Sequence, residues 1–310
     1  MLEVTLPGTG GTMPLKNRWL TCCLLRHEGE TVLIDCGEGT QIALRCAGKT
    51  VQRLRLLCFT HYHADHISGL PGLLLSMGLD GRTEPLLLAG PRGLRRTVEG
   101  LRVIAPELPF PLEYLELDGT ETFSAAGLTV EPFAVSHTMP CLGYRLTLPR
   151  AGKFDTEKAK ENQVPVAVWS RLQKQETAEH DGICYHRSQV LGPPRRGISV
   201  TYCTDTRPVP ALLRYADSAD LLILEGMYGE DDKLPKAVET RHMLFSEAAG
   251  IARDANAKRL WLTHYSPSLP NPEEFLAAAQ AIFPQTECAA DGYDTDLCFP
   301  DEEAGIAHSD

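Results

Sequence analysis

The stretch Thr60-His61-Tyr62-His63-Ala64-Asp65-His66 places three imidazoles and a carboxylate within six residues. Imidazole nitrogens and carboxylate oxygens are the donors that zinc and similar divalent ions take. His61 and His63, two apart, can turn toward one ion. Asp65 and His66 lie about one turn further on and can serve a second position. Two ions need more ligands than this stretch holds, so the rest of the chain must supply them.

The cluster follows residues 54–59, a short apolar run of the kind that predicts a buried strand. Other apolar runs end in the same way. Residues 128–135 lead to His137, 197–203 to Asp205, 219–224 to Glu225, and 259–263 to His264. Side chains at strand ends of an α/β fold can converge without being close in the chain, so five such endings on separate strands point to one shared site. Asp35, at the end of the run 31–35, has two readings. It can accept from a metal-bound His and so orient it, or it can cap the helix predicted over 40–46. Further helices are predicted over 70–77, 93–104 and from Ser246, as N-cap, to about 256. Strands are predicted at 2–6, 20–25, 85–91 and 143–148. The glycines at 8–11 lack the Gly-Lys-Ser/Thr of a phosphate loop.

At 310 residues the chain has ample material for a core. No apolar run is long enough to span a membrane, and no leader-like segment opens the sequence, so a cytoplasmic protein without membrane contact is expected. Ten cysteines are scattered, mostly inside apolar runs and with no Cys-x-x-Cys pair, which predicts reduced, buried thiols. The net charge of −11 argues against a grip on nucleic acid by the whole surface. Residues 150–196 differ: nine basic against six acidic residues give +3, which leaves −14 for the remainder. This segment reads as an inserted basic excursion with Trp169 and Tyr185 available for stacking, or else as a solvated linker.

With these residues in place, the chain resembles the metallo-β-lactamase superfamily, whose His-x-His-x-Asp-His motif it matches from His61 to His66. The resemblance implies a four-layer αβ/βα sandwich with an inserted arm. It also implies one metal held by His61, His63 and His137, another by Asp65, His66 and His264, and Asp205 bridging. Within the superfamily the chain is most similar to ribonuclease Z, through Asp35-Cys36-Gly37-Glu38, Gly69-Leu70-Pro71-Gly72-Leu73, Gly90-Pro91-Arg92-Gly93, Asp205-Thr206-Arg207 and the insertion between Tyr144 and Asp205. That family trims the 3′ ends of tRNA precursors. Its insertion is a protruding arm that grips tRNA, often across a homodimer.

The expected activity is therefore phosphodiester hydrolysis near the 3′ end of precursor tRNA by a hydroxide that two divalent ions activate. Zinc is the favoured metal, and manganese or iron would suit the same donors. Asp65 is expected to orient or deprotonate the water. His242, held by Glu225, is expected to protonate the leaving oxygen. The alternatives are a phosphodiesterase for a small substrate such as a cyclic nucleotide, and a non-catalytic RNA-binding module.

Overall fold

The computed structural model describes residues 1–299. The first sheet is built from β1 (Leu2–Gly8), β2 (Cys22–His27), β3 (Glu30–Ile34), β4 (Leu54–Cys58), β5 (Leu86–Pro91) and β6 (Leu112–Leu117). The second begins with β7 (Phe123–Ala125), β8 (Leu128–Val135) and β9 (Cys141–Arg150). After a hairpin of β10 (Thr177–His180) and β11 (Ile183–His186) come β12 (Arg195–Cys203), β13 (Leu221–Glu225), β14 (Leu260–Thr263), β15 (Thr286–Cys288) and β16 (Tyr293–Leu297). The strand orders are β16-β1-β2-β3-β4-β5-β6 and β15-β14-β13-β12-β9-β8-β7.

Half of each sheet is parallel: β3 to β6 in the first, β12 to β15 in the second. The central parallel strands β4, β5, β13 and β14 are buried on both faces, which explains why their runs are almost continuously apolar instead of alternating. The helices α1 (Thr40–Cys46), α2 (Ala64–Ile67), α3 (Leu70–Leu79) and α4 (Leu94–Leu101) connect the strands of the first sheet. Leu70, Leu73, Leu74 and Met77 of α3 and Leu94 and Val98 of α4 share a core with Leu57, Leu86 and Leu88. Further on lie α5 (Thr156–Glu161), α6 (Val166–Lys174), α7 (Pro210–Ala216), α8 (Leu234–Thr240), α9 (Phe245–Asp254) and α10 (Leu276–Ile282). Leu212, Ala248, Ile251, Ala252 and Ala279 from α7, α9 and α10 pack on Leu222, Leu224 and Leu262 of the second sheet. Between the sheets, the Tyr144 hydroxyl donates to the Phe59 carbonyl at 2.6 Å and the hydroxyls of Thr21 and Thr263 are 2.9 Å apart. Helices outside two packed sheets make the expected metallo-β-lactamase-like sandwich.

Two local expectations need correction. The helix predicted over 93–104 is α4 followed by a 3-10 turn at Arg102–Ile104, tightened ahead of Pro106. Ser246 is not an N-cap. The helix begins one residue before it, Glu247 accepts the Leu244 N–H at 3.0 Å, and Ser246 donates to Asp231.

Residues Leu148–Ile198 form a compact unit of their own. Ala159, Val164, Val168, Leu172, Ala178 and Val190 make its core, with Phe154, Trp169, Tyr185 and Leu191 packed against it. The Trp169 indole donates to the Val164 carbonyl at 2.9 Å and its ring lies 5.1 Å from that of Phe154. Trp169 and Tyr185 are both half-buried against this small core. All ten cysteines are free thiols. No helix among the described residues is long and apolar enough to cross a membrane.

Candidate metal centre

The strand endings converge. His61 and His63 follow β4, and His63 opens α2, which carries Asp65 and His66. The intervening Tyr62 turns the other way and donates to the Pro91 carbonyl. Nε2 of His61 lies 2.9 Å from Nδ1 of His63, and Nε2 of His137 lies 3.3 Å from that same atom. In a second group, Nε2 of His66 is 3.1 Å from Nε2 of His264, with Oδ2 of Asp65 3.6 and 3.5 Å from these nitrogens. Each group brings its donor atoms within 4.8 Å of one another.

Asp205 stands between the groups. Its Oδ1 is 3.9 Å from His61 and 3.8 Å from His137, and its Oδ2 is 3.2 Å from both His66 and His264. All seven residues that the sequence singled out as ligands therefore share one site. Glu225, wholly buried at the end of β13, and His242, after α8, adjoin it: His242 Nδ1 is 2.9 Å from Glu225 Oε2 and 3.9 Å from Asp205 Oδ1.

The donor set fits divalent cations. Imidazole nitrogens face each other at 2.9–3.3 Å in both groups, and the buried Asp205 Oδ2 has no hydrogen-bond partner among the described residues. A cation would satisfy these lone pairs together. The electrostatics agree. Burial, aided by His66, pushes His61 down to about 2 against the pull of Asp205, which favours the neutral imidazole that a metal takes. Burial also opposes charge on His66, but Asp205, Asp35 and Asp65 outweigh it and raise this imidazole well above its ordinary range. Three carboxylates around one buried ring create a demand for positive charge. The two clusters have the make-up of a dimetal site.

Backing groups hold the ligands. Asp35 does not cap α1, whose N-cap position is Gly39. Its Oδ2 lies 2.8 Å from Nδ1 of His66 and accepts from the Thr60 hydroxyl at 2.9 Å, while that hydroxyl is 3.0 Å from Nδ1 of His61. One carboxylate thus anchors two imidazoles. Nδ1 of His137 is 3.3 Å from the Arg241 carbonyl, and Arg241 in turn donates to the His137 carbonyl. The Thr12 N–H donates to Asp65 Oδ2 at 2.7 Å. Gly11 lies so close to His264 that a Cβ there would meet the ring at 2.7 Å. Asp35, Asp205 and His264 all take positive φ, at 64, 55 and 57°. That conformation turns the chain sharply at each strand end, at a cost of about 1–2 kcal/mol per residue.

Burial of His242 opposes its charge, and Glu225 more than compensates, raising the imidazole to about 9. The buried Glu225 carboxylate thus favours the protonated imidazole beside the clusters, an arrangement suited to proton donation. Sequence reasoning missed Thr60, Thr12, Arg241 and the pair of Arg207 with Glu247. Arg207 was visible only as part of a motif, and the Thr12 contact is made by a main-chain group.

Comparison with known proteins agrees with this geometry. A family model described as "Anti-Pycsar protein Apyc1" matches residues 2–140, and one described as "Beta-lactamase superfamily domain" matches residues 175–265. The chain is 50% identical over 304 residues to a ribonuclease Z of Lachnoclostridium phytofermentans, covering 98% of this chain and 100% of that one. It is 50% identical over 303 residues to a ribonuclease Z of Lachnospira eligens, covering 97% and 100%. Among solved structures it shares its fold with the short form of human tRNase Z at a TM-score of 0.69 and 24% identity, over 96% of this chain and 100% of that one. The metallo-β-lactamase fold protein YhfI of Bacillus subtilis matches at a TM-score of 0.69 and 19% identity, over 95% and 98%. A metal-dependent hydrolase site on this fold, with relatives of that identity along its whole length, places the chain in the ribonuclease Z family of the metallo-β-lactamase superfamily.

Proposed function

We propose that this chain is a zinc-dependent endoribonuclease that hydrolyses precursor tRNA near its 3′ end. One observation carries the reading: Asp205 separates a His61–His63–His137 cluster from an Asp65–His66–His264 cluster, with the Glu225–His242 pair against both, in a chain half identical to ribonuclease Z. These seven residues are assigned as the ligands of two metal ions. Zinc suits a set this rich in imidazole, although manganese or iron would be accepted. When bound, such ions supply Lewis acidity that lowers the pKa of water and offsets phosphodiester charge.

The protein's own groups do the rest. Asp65 is held by the Thr12 N–H, and His66 and His264 keep it ionised in spite of its burial. It is the acceptor that orients the attacking water and takes its proton. His242 is the donor. Glu225 fixes Nδ1, leaving Nε2 to deliver a proton to the departing oxygen.

The Leu148–Ile198 unit is assigned as the arm that binds RNA, on the strength of its positive balance in an otherwise acidic chain. The protein is assigned as a cytoplasmic homodimer. Reduced thiols support the location. Exposed Leu79, Val103 and Ile104, on α3 and the 3-10 turn that touches it, support the dimer. Deleting residues 153–187 tests the arm. Cleavage of precursor tRNA should fall more than about tenfold relative to hydrolysis of bis(p-nitrophenyl) phosphate. Unchanged tRNA cleavage would show that the arm does not dock RNA.

A further inference from the structure

His242 sits in a connection of irregular backbone between α8 and α9, preceded by Arg241 at a positive φ of 58°. Arg241 is tied to His137. The His242 carbonyl is held from 35 residues upstream. Arg207 donates through Nη1 to the His242 carbonyl and, at 2.7 Å, to Glu247 Oε2, and through Nη2 to Glu247 Oε1. Glu247 Oε2 also accepts the Leu244 N–H at 3.0 Å, and the His242 N–H donates to the Ala237 carbonyl at 2.9 Å.

The guanidinium fork is itself fixed. The Arg207 N–H donates to the Ser136 carbonyl at 3.1 Å, and the Ser136 N–H donates to the Thr206 hydroxyl at 3.0 Å. The Thr206 N–H donates to Glu225 Oε1 at 2.6 Å. Two consecutive residues after Asp205 therefore set both halves of the acid pair, Thr206 through the Glu225 carboxylate and Arg207 through the His242 backbone. They do so from a segment bonded to the residue before His137. The arrangement registers the proton donor against the ligand groups. The planar fork offers Nη1 to the carbonyl and one carboxylate oxygen and Nη2 to the other, a bidentate geometry that a lysine ammonium does not reproduce.

We infer that Arg207, clamped by Glu247, is a positioning residue that sets His242 for proton delivery to the leaving oxygen. The inference rests on His242 being the proton donor. In that step water forms the new P–O bond and gives up a proton to Asp65, which returns it to solvent. The old P–O bond breaks with its electron pair going to the leaving oxygen, which takes the proton from His242 Nε2. The imidazole is left neutral and regains its proton from solvent. A ribose alkoxide needs that proton as it departs, whereas p-nitrophenolate leaves without it. A displaced donor therefore slows the first substrate far more than the second.

The test compares wild type, Arg207→Lys, Glu247→Gln, Glu247→Ala and His242→Ala on precursor tRNA and on bis(p-nitrophenyl) phosphate, with metal content and thermal melting recorded for each. Arg207→Lys and Glu247→Ala should lower kcat on precursor tRNA about tenfold to a hundredfold more than kcat on the aryl ester, with metal content at the wild-type level. Glu247→Gln, which keeps an acceptor for Arg207, should fall between Glu247→Ala and wild type. Equal losses on both substrates, or losses that track metal content or melting, would overturn the positioning role. If His242→Ala itself lowers both substrates equally, the proton-donor reading fails, and the role of Arg207 falls with it.

Discussion

Glu225 divides its carboxylate between two partners: Oε1 accepts the Thr206 N–H at 2.6 Å and Oε2 stands 2.9 Å from Nδ1 of His242. No exposed face remains to it. A buried carboxylate pinned in this way cannot swing to another partner, so the imidazole is oriented as well as charged. Replacement of His242 by Ala is expected to lower turnover of precursor tRNA by about 10²–10⁴-fold while bound metal stays at the wild-type level. Loss of metal with the imidazole would make His242 a ligand instead of an acid.

Asp35 touches no substrate, yet it holds His66 directly and His61 through the Thr60 hydroxyl. Partners behind metal-bound imidazoles typically contribute about 10–100-fold in affinity. Asp35→Ala should weaken metal binding by that factor in a competition titration with a chromophoric chelator. An affinity equal to wild type would reduce Asp35 to a structural turn residue.

What could be read from the sequence was whatever side chains carry at strand ends. The His-x-His-x-Asp-His cluster and the later His137, Asp205, Glu225 and His264 stood out because apolar runs announce buried strands and a strand end is where a layered α/β fold exposes chemistry, whereas His242, between two helices, was picked out only by the family resemblance. Contacts made by backbone atoms have no such signature. The Thr12 N–H on Asp65 and the Arg241 carbonyl beside His137 are properties of the folded path. The clamp of Arg207 by Glu247 joins residues 40 apart, and Glu247 reads from sequence as an ordinary first-turn acid. Ser246 misled for a related reason: the best capping residue by type lies inside the helix, and Glu247 does the capping. The small core that Trp169 and Tyr185 pack against was not visible, because a core inside a polar-looking segment is weakly patterned.

The N-terminal strand carries an acid-sensitive joint. Glu3 is buried, and Lys49 and Arg26 donate to its two oxygens at 2.5 and 2.6 Å. Burial alone would raise its carboxyl, but these two cations outweigh burial and lower it below the ordinary 4.5. A depressed carboxylate contributes stability that is present above the unfolded value and lost as pH falls through the folded one. Glu3→Gln should therefore destabilise by about 1–2 kcal/mol at pH 7, and the difference should shrink in melts taken below about pH 4. A difference that is the same at both pH values would contradict the linkage.

Leu79, at the end of α3, and Val103 and Ile104, on the 3-10 turn that touches that helix, are 88%, 73% and 75% exposed. If they form the contact between two copies, Leu79→Asp or Val103→Asp should turn a sedimenting dimer into a monomer without lowering metal content. A monomeric wild type, or variants that remain dimeric, would remove that interface.

The metal-dependent endonuclease assignment is tested most directly by cleavage of a 5′-labelled, 3′-extended precursor tRNA, with the protein loaded with zinc, stripped by a chelator, and reloaded. The assignment predicts one cut near the 3′ end that releases the trailer, disappears on stripping and returns on reloading. Tight binding of the tRNA with no cut by the zinc-loaded protein, or hydrolysis of a cyclic nucleotide in place of the tRNA, would contradict it.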